Sequence, residues 1–534
     1  MDAPCHDQSV RLLLTADAVV TGDGIIGDSI LVVDGMVAAV GTREALDAEG
    51  AIQKHYRGAT LIPGLRDAHM HPVPYAALLN GCSLKQASDI ADLQRRIASY
   101  ASTLDEGQPI VATRLDDESL EERRLPTRTD LDEAVSDRPV VIYRYCGHVA
   151  VANTRALDAS DITADTTDPE GGSIDRDTDG NPTGVLRETA AGLVAPALAR
   201  GGALLGEGAL LSALHGLAGV GITSIGAMVG YGERPFEQLE AELGLWQRVS
   251  DRLPINVAVF AITDTAARLE DAAKLLDNTG ERLRWLGVKR FADGSLGGHT
   301  AAMHESFADV DTRGTLRLSD ADTAVARKSI EMGGMVAIHA IGDRAVDGVL
   351  DVFDDLVADG ADPSALRMEH VSVISPDQIR RFADLGVTAA VQPAFLTSES
   401  EWVSDRVGAD RVGWLYPLRS LMDSGVPMAG SSDCPVEPPQ ALWGMAAAMD
   451  RYGVTPDERL TGTEALALFT SGAARALREP EPLALGSPAD IVVIDIDPST
   501  AASHEVHDAK VVDTYVDGIA VNIDRTRAVW PDQR

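Results

Sequence analysis

Short apolar runs alternate with longer helical stretches through most of the chain. Eight such runs are VVIYRY, GITSIGAM, INVAVFAI, RWLGVKRFADG, GMVAIHAIGD, LRMEHVSV, VTAAVQP and VPMAGSSDCP. Runs of this kind, followed by helices, are typical of buried parallel strands in βα units. Their number predicts an α/β fold, a (β/α)8 TIM barrel, in which catalytic groups come from the C-terminal ends of the strands.

The two ends of the chain show a different pattern. Residues 10–60 and the last 50 residues carry β-type runs with turn-forming GDG and DG dipeptides, as in the hairpins of a small antiparallel sheet. We therefore expect a composite β-sandwich domain from residues 1–62 and 485–534, and a barrel from 63–484. The stretch from about 80 to 200, in which the turn-rich segment GGSIDRDTDGNPTG predicts a hairpin, is too long for one βα unit. It predicts an insertion near the barrel mouth.

Composition and charge narrow the class of protein. Hydrophobic residues make up 45% of the 534 residues, enough for a large buried core. The net charge of −36 repels phosphate, so the expected partner is a small-molecule substrate rather than nucleic acid. Six lysines stand beside 40 arginines. A salt-rich cytoplasm or a GC-rich genome accounts for that bias, and only the former explains the acid excess.

The spacing of the cysteines and the sequence of the N-terminus indicate the cellular compartment of the protein. Cys5, Cys82, Cys146 and Cys434 are scattered singly, which argues against disulfides and against a cysteine zinc site. The first ten residues do not resemble a signal peptide, and no run of about 18 apolar residues occurs. We expect a cytoplasmic protein without a membrane segment. A homo-oligomer is compatible with such a barrel, although no sequence feature marks an interface.

Two histidines follow the apolar run in LIPGLRDAHMHP. Side chains at positions i and i+2 of a strand share a face, so His69 and His71 would point the same way at the strand end. Such a pair is either a pair of metal ligands or two histidines satisfied by ordinary hydrogen bonds.

Later strands offer further ligands at the same end of the barrel. His339 ends the run VAIH, His370 ends LRMEH and Asp433 follows MAGSS. Nitrogen and carboxylate donors of this kind suit zinc, and iron and manganese accept them too. Together with His69 and His71 they predict a site for one or two divalent metal ions.

Lys289, in GVKRFADGS, ends another apolar strand and is one of only six lysines. A buried ammonium group is costly unless it is paired or neutralised. One interpretation is a CO2-derived carbamate on Lys289 that bridges two metal ions. The alternatives are an ion pair with Asp293 or a contact with the substrate.

Several motifs together resemble those of a known family. The motif P-G-x-x-D-x-H-x-H (Pro63 to His71), KRFADGSLG, HAIGDRAVD, MEHV and GSSDCPVEP are similar to those of the amidohydrolase superfamily, in particular its YtcJ-like branch (amidohydrolase family 3), which also resembles N-substituted formamide deformylases. This resemblance spans nearly the whole chain. It implies a metal-dependent hydrolase with a TIM barrel and a terminal β-sandwich. The implied metal ligands are His69, His71, Lys289, His339, His370 and Asp433.

The resemblance also implies a mechanism. The metal would activate water, Asp433 would serve as general base as well as ligand, and His370 or His339 would polarise the carbonyl if only one ion binds. The predicted reaction is cleavage of a non-peptide C–N bond, as in an N-formyl or N-acyl amine. A mononuclear aminohydrolase acting on a heterocycle and a non-catalytic binding module remain as alternatives.

Four residues are weaker candidates for substrate contact. His148 lies in YCGHVAVAN, and His299 stands where family members commonly carry arginine after DGSLG. Asp343 and Arg344 follow His339 in the loop expected at the barrel mouth, where they would orient ligands or pair with each other.

Overall fold

The computed structural model describes residues 10–117, 119–144, 149–169, 172–199, 206–230, 236–277, 279–522 and 529–530. Its strands are β1 (Arg11–Thr21), β2 (Gly24–Val33), β3 (Met36–Gly41), β4 (Ile52–Pro63), β5 (Leu65–Met70), β6 (Cys82–Ser83), β7 (Ile110–Leu115), β8 (Val140–Arg144), β9 (Val149–Ala152), β10 (Gly172–Arg176), β11 (Pro182–Glu188), β12 (Ile222–Val229), β13 (Asn256–Ile262), β14 (Leu283–Phe291), β15 (Met335–Ala340), β16 (Leu366–His370), β17 (Thr388–Val391), β18 (Met428–Gly430), β19 (Ile491–Ile494), β20 (Val511–Val516) and β21 (Ile519–Ala520).

The α-helices follow the same order along the chain. They are α1 (Pro72–Asn80), α2 (Ile90–Ala101), α3 (Arg128–Ala134), α4 (Thr154–Ala159), α5 (Ala195–Ala199), α6 (Glu207–Gly219), α7 (Phe236–Val249), α8 (Ala266–Leu275), α9 (Asp320–Glu331), α10 (Asp343–Ala358), α11 (Pro376–Leu385), α12 (Phe395–Glu399), α13 (Val403–Val407), α14 (Leu418–Asp423), α15 (Ala441–Asp450), α16 (Gly462–Ala467), α17 (Ala473–Ala476) and α18 (Ser503–Asp508). Of the helices described, none is long and apolar enough to cross a membrane.

Eight parallel strands form the barrel, in the spatial order β18-β17-β16-β15-β14-β13-β12-β5. Strand β13, with the sequence NVAVFAI, is buried at every position after the first, as expected for a strand covered on both faces. The two ends of the sheet meet where the amide of His71 donates to the carbonyl of Cys434 at 2.7 Å and that of Asp433 to the carbonyl of His69 at 2.9 Å. The predicted TIM barrel is confirmed.

Local sequence sets where the barrel helices begin and end. Helix α11 is preceded by the N-cap residue Ser375, whose hydroxyl accepts from the amide of Gln378 in a capping box, and Pro376 is in its first turn. It ends at Gly386, whose φ of 71° is the left-handed conformation that glycine adopts without steric cost. Helix α9 begins with a second capping box, between Ser319 and Asp322.

Both ends of the chain contribute to one seven-stranded sheet, in the order β21-β20-β19-β4-β1-β2-β3, which is the predicted terminal β domain. The turn between β2 and β3 has positive φ at Asp34 (50°) and Gly35 (81°), as a tight hairpin turn requires. The prediction of a purely antiparallel sheet was wrong, because β4 runs parallel to β1. Residues 42–51 cross over between β3 and β4 and so reverse the direction that a hairpin would give.

Residues 74–210 form a second compact unit. Its sheet has the order β10-β11-β9-β8-β7-β6. Strands β10 and β11 pair as the antiparallel hairpin predicted from GGSIDRDTDGNPTG. The run VVIYRY, interpreted above as a barrel strand, forms β8 of this unit instead, and the strand leading to His69 takes its place in the barrel. A buried apolar run does not itself reveal which sheet it joins.

Candidate metal centre

Three predicted ligands converge at the C-terminal end of the barrel. The ligand atoms of His69, His71 and Asp433 lie within 4.8 Å of one another. Oδ1 of Asp433 is 3.2 Å from Nε2 of His69 and 3.3 Å from Nε2 of His71. Both imidazoles therefore point the same way, as their spacing on the strand predicts. This group is called the HHD group below.

His339 and His370 lie beside the HHD group. The ring of His370 is 5.1 Å from that of His69 and 4.5 Å from that of His339, measured between centroids. Phe395 stacks on His370 at 5.9 Å, and Phe291 lies 5.6 Å from His339. The four imidazoles thus form a continuous row, bordered by two aromatic rings.

Hydrogen bonds behind the rings determine which nitrogens face the site. Nδ1 of His69 donates to Glu369 at 2.5 Å, which leaves Nε2 as the free lone pair. Nδ1 of His370 donates at 2.8 Å to the amide oxygen of Gln392, whose nitrogen in turn donates to Ser431. His339 is held the other way round, since its Nε2 donates to the carbonyl of Gly294 at 2.8 Å.

The electrostatics of the site favour ligand forms of these side chains. Burial alone would raise the pKa of Asp433, but the neighbouring His69, His71 and His370 outweigh it and hold that pKa well below its ordinary value. Burial lowers the pKa of His71 and, more strongly, that of His370. Near neutral pH the carboxylate is therefore charged and these two imidazoles are neutral, as metal coordination requires.

Lys289 is buried within the same part of the barrel, with 1% of its surface exposed. Its ammonium group lies 4.8 Å from the centre of the Phe291 ring, and no hydrogen bond or ion pair to Nζ occurs among the described residues. Burial lowers its pKa to about 8. The ion pair with Asp293 that the sequence left open does not form.

Asp293 instead accepts hydrogen bonds from the backbone of two loops at this end of the barrel. Its carboxylate accepts from the amides of Ala302, Ile341 and Gly342 at 2.8–3.1 Å and lies 3.1 Å from Nε2 of His339. It thereby joins the loop after β14 to the loop that follows His339.

Sequence reasoning missed the groups behind the histidines. Glu369 and Arg367, both fully buried, and Gln392, with 1% exposed, were not singled out. Charged residues inside the apolar strand LRMEH were a usable signal, because a buried charge requires a partner. That the partner is His69, 300 positions away, could not be predicted from a single sequence.

Of the four weaker candidates, the three that the structure describes do not join the row of imidazoles. His148 lies outside the described residues. Nε2 of His299 is 3.1 Å from both carboxylate oxygens of Asp309. Asp343 accepts from the amide of His304 at 2.9 Å, and the side chain of Arg344 is exposed. Their role in substrate contact stays a prediction.

The sequence of the chain matches the model of a known protein family over most of its length. Residues 57–521 match the model of the amidohydrolase family. The chain belongs to the amidohydrolase family. The resemblance inferred from its motifs is confirmed, and with it the prediction of a hydrolase.

Relatives of this amidohydrolase extend over most of its length. It is 27% identical to YtcJ of Bacillus subtilis (strain 168), over 92% of this chain and 95% of that protein. It is also 27% identical to the N-substituted formamide deformylase of Arthrobacter pascens, over 92% of this chain and 94% of the deformylase. Among solved structures, an uncharacterized metal-dependent hydrolase from Pyrococcus horikoshii OT3 has a TM-score of 0.77 and 28% identity, covering 92% of this chain and 99% of that one.

Proposed function

We propose that this amidohydrolase is a metal-dependent enzyme that hydrolyses a non-peptide C–N bond, as in an N-formyl or N-acyl amine. The observation that carries the proposal is the HHD group, in line with His370 and His339 at the strand ends of the barrel. The similarity to a protein named N-substituted formamide deformylase supports an amide as substrate.

The residues present fit a divalent metal ion. His69 and His71 offer nitrogen lone pairs, Asp433 offers an anionic oxygen, and all three atoms lie within 4.8 Å of one another. This mixture of nitrogen and oxygen donors suits zinc, iron or manganese, of which we propose zinc. When bound, such an ion polarises a carbonyl and lowers the pKa of water, which makes a nucleophile available at neutral pH.

Asp433 would act as the general base. Its low pKa keeps the carboxylate ionised, so it can accept the proton of the attacking water. Returning that proton to the leaving nitrogen expels the amine and restores the carboxylate. The neutral imidazole of His370 lies beside this path and would orient the carbonyl oxygen.

Lys289 would supply a further ligand as a carbamate. With a pKa of about 8, part of its amine is neutral near physiological pH and can attack CO2. An N–C bond forms and a proton is released. The reaction replaces an unpaired buried cation with an anionic oxygen donor, which favours a second metal ion bound with His339 and His370.

One observation favours a second candidate function. Among the described residues, the group that meets the ligand-atom spacing for a metal ion contains His69, His71 and Asp433 alone, as in a site for one ion. A mononuclear site in which His339 and His370 contact the substrate would suit an aminohydrolase that releases ammonia from a heterocycle.

Substrate screening of the zinc-loaded enzyme separates the two. We expect turnover of N-formyl and N-acyl amines with release of the amine, and no ammonia from aminated heterocycles. Asp433→Asn should lower kcat by about 10²–10⁴-fold, the usual contribution of a general base. Asp490→Asn, which changes a buried aspartate of the terminal domain, serves as the matched control. Ammonia release from heterocycles without amide cleavage would contradict the amide proposal.

A further inference from the structure

Arg367 and Glu369 form a buried ion pair in the interior of the barrel, next to the HHD group. Nε and Nη2 of Arg367 donate to the two oxygens of Glu369 at 2.5 and 2.8 Å, and both side chains are fully buried on β16. Barrel interiors are usually filled by apolar branched side chains. Because desolvation opposes buried charges, such a pair contributes little to stability and calls for another explanation.

The pair is tied to the strand that carries the HHD group. Oε2 of Glu369 accepts from Nδ1 of His69 at 2.5 Å. Nη2 of Arg367 donates at 2.9 Å to the carbonyl of Ala68, the residue before His69. In the described part of the chain, the Glu369 carboxylate has Arg367 and His69 as its only hydrogen-bond donors. Its position is therefore determined by the guanidinium on one side and by the imidazole on the other.

The guanidinium itself cannot turn away. Nη1 of Arg367 donates to the carbonyl of Ala476 at 3.2 Å, and its central carbon lies 4.8 Å from the centre of the Phe260 ring on β13. Contacts with β5, β13 and the C-terminal end of α17 hold Arg367 from three directions. The Glu369 carboxylate, which Arg367 holds by two hydrogen bonds, is therefore directed at His69 in the metal-free protein.

We propose that Glu369, held by Arg367, is the positioning residue of the metal centre. It keeps the proton of His69 on Nδ1, directs Nε2 towards Asp433 and makes the imidazole a stronger donor, and so sets the metal affinity of the HHD group. Partners of this kind typically change metal affinity by about 10–100-fold. The inference rests on the proposed function, because it presumes that the HHD group binds a metal ion.

Shortening the carboxylate tests this role without removing its charge. Glu369→Asp retains an acid opposite Arg367 but withdraws it by one methylene from His69. We expect its zinc affinity, measured by competition with a chromophoric chelator, to fall by about 10–100-fold. Glu242→Asp shortens a half-buried glutamate on α7, which accepts from the amide of Gly230 at 2.9 Å, and should leave zinc affinity unchanged.

A second variant separates positioning from stability. Arg367→Met/Glu369→Gln removes both charges together with the Arg367 hydrogen bonds to the carbonyls of Ala68 and Ala476, so the metal-free protein should fold with a lowered unfolding temperature, while its zinc affinity stays as low as that of Glu369→Asp. Zinc affinity within about threefold of wild type in either folded variant would overturn the inference. Failure of both variants to fold, with Glu242→Asp folding normally, would assign the pair to stability and overturn it as well. If the wild type binds no zinc, the proposed function itself fails.

Discussion

At the scale of single residues, Lys289 has the least ordinary environment in the site. It is an ammonium-bearing side chain with 1% of its surface exposed, which lies over the Phe291 ring and interacts electrostatically with His71 and His370. Burial favours the neutral amine, and the negative charges of Glu369 and Asp433 only partly oppose this. Burial of the charged Lys289 lowers the stability of the folded protein, and the same burial produces the neutral amine that can react with CO2.

This cost gives a pH dependence with a definite sign. The pKa of Lys289 falls from 10.5 to about 8 on folding, so between these values the unfolded chain binds more protons and stability rises with pH. For metal-free protein in CO2-free buffer, we expect this residue to add about 3 kcal/mol to the free energy of unfolding between pH 8 and 10.5. Lys289→Met should abolish that rise, as followed by chemical denaturation.

The control is Lys274→Met, which removes a lysine whose side chain is 68% exposed. It should leave the pH dependence as in the wild type. If the free energy of unfolding rises equally with pH in the wild type and in Lys289→Met, Lys289 is charged in the folded protein and the prediction is wrong.

Some residues of the site could be predicted from the sequence, and others could not. Strand periodicity and position at strand ends predict His69, His71, His339, His370 and Asp433 as candidate ligands, because each prediction requires only local pattern and barrel topology. The partners Glu369 and Gln392 act through contacts between distant segments, which a single sequence does not reveal. The ion pair of Lys289 with Asp293, one of the alternatives that the sequence left open, does not form, and the Asp293 carboxylate accepts from three backbone amides instead.

At the scale of elements, the spacing of neighbouring barrel strands places the ligands. Lys289 on β14 lies opposite Ala337 on β15, two residues before His339. Gly287 makes this approach possible, since a Cβ there would come within 2.1 Å of the carbonyl oxygen of Met335. The alternation of strands and helices predicted the barrel, but the number of runs did not reveal that VVIYRY belongs to the inserted unit.

Replacing this glycine should separate the two strands. We expect Gly287→Ala to destabilise the protein by about 1–3 kcal/mol or more, as overpacking against rigid backbone does, and to weaken zinc binding through displaced ligands. Gly413→Ala is the matched control, because a Cβ at that position meets no atom within 4 Å. A melting temperature of Gly287→Ala equal to that of the control would contradict the close approach of β14 and β15.

At the scale of the whole molecule, a net charge of −36 works against the compact state. Screening by salt shortens the range of this repulsion from about 10 Å at 0.1 M to about 3 Å at 1 M. Because the 82 acidic residues outnumber the 46 basic ones, at least 36 negative charges have no basic partner to offset them.

We therefore expect the melting temperature to rise when KCl is increased from about 0.1 M to about 1 M, the range over which screening becomes short. Scanning calorimetry in a fixed buffer measures this directly. A melting temperature that is constant or falls over the same range would contradict adaptation to a salt-rich cytoplasm and would assign the preference for arginine over lysine to a GC-rich genome.

The metal site proposed for this amidohydrolase includes a carboxylated Lys289. Metal content per chain by elemental analysis, combined with intact mass under native conditions, tests it most directly. We expect two metal ions and the added mass of one CO2, the latter absent from Lys289→Met. One ion without the added mass would contradict the bridged site and favour the mononuclear aminohydrolase. A chain that binds no metal when zinc is supplied would contradict the claim altogether.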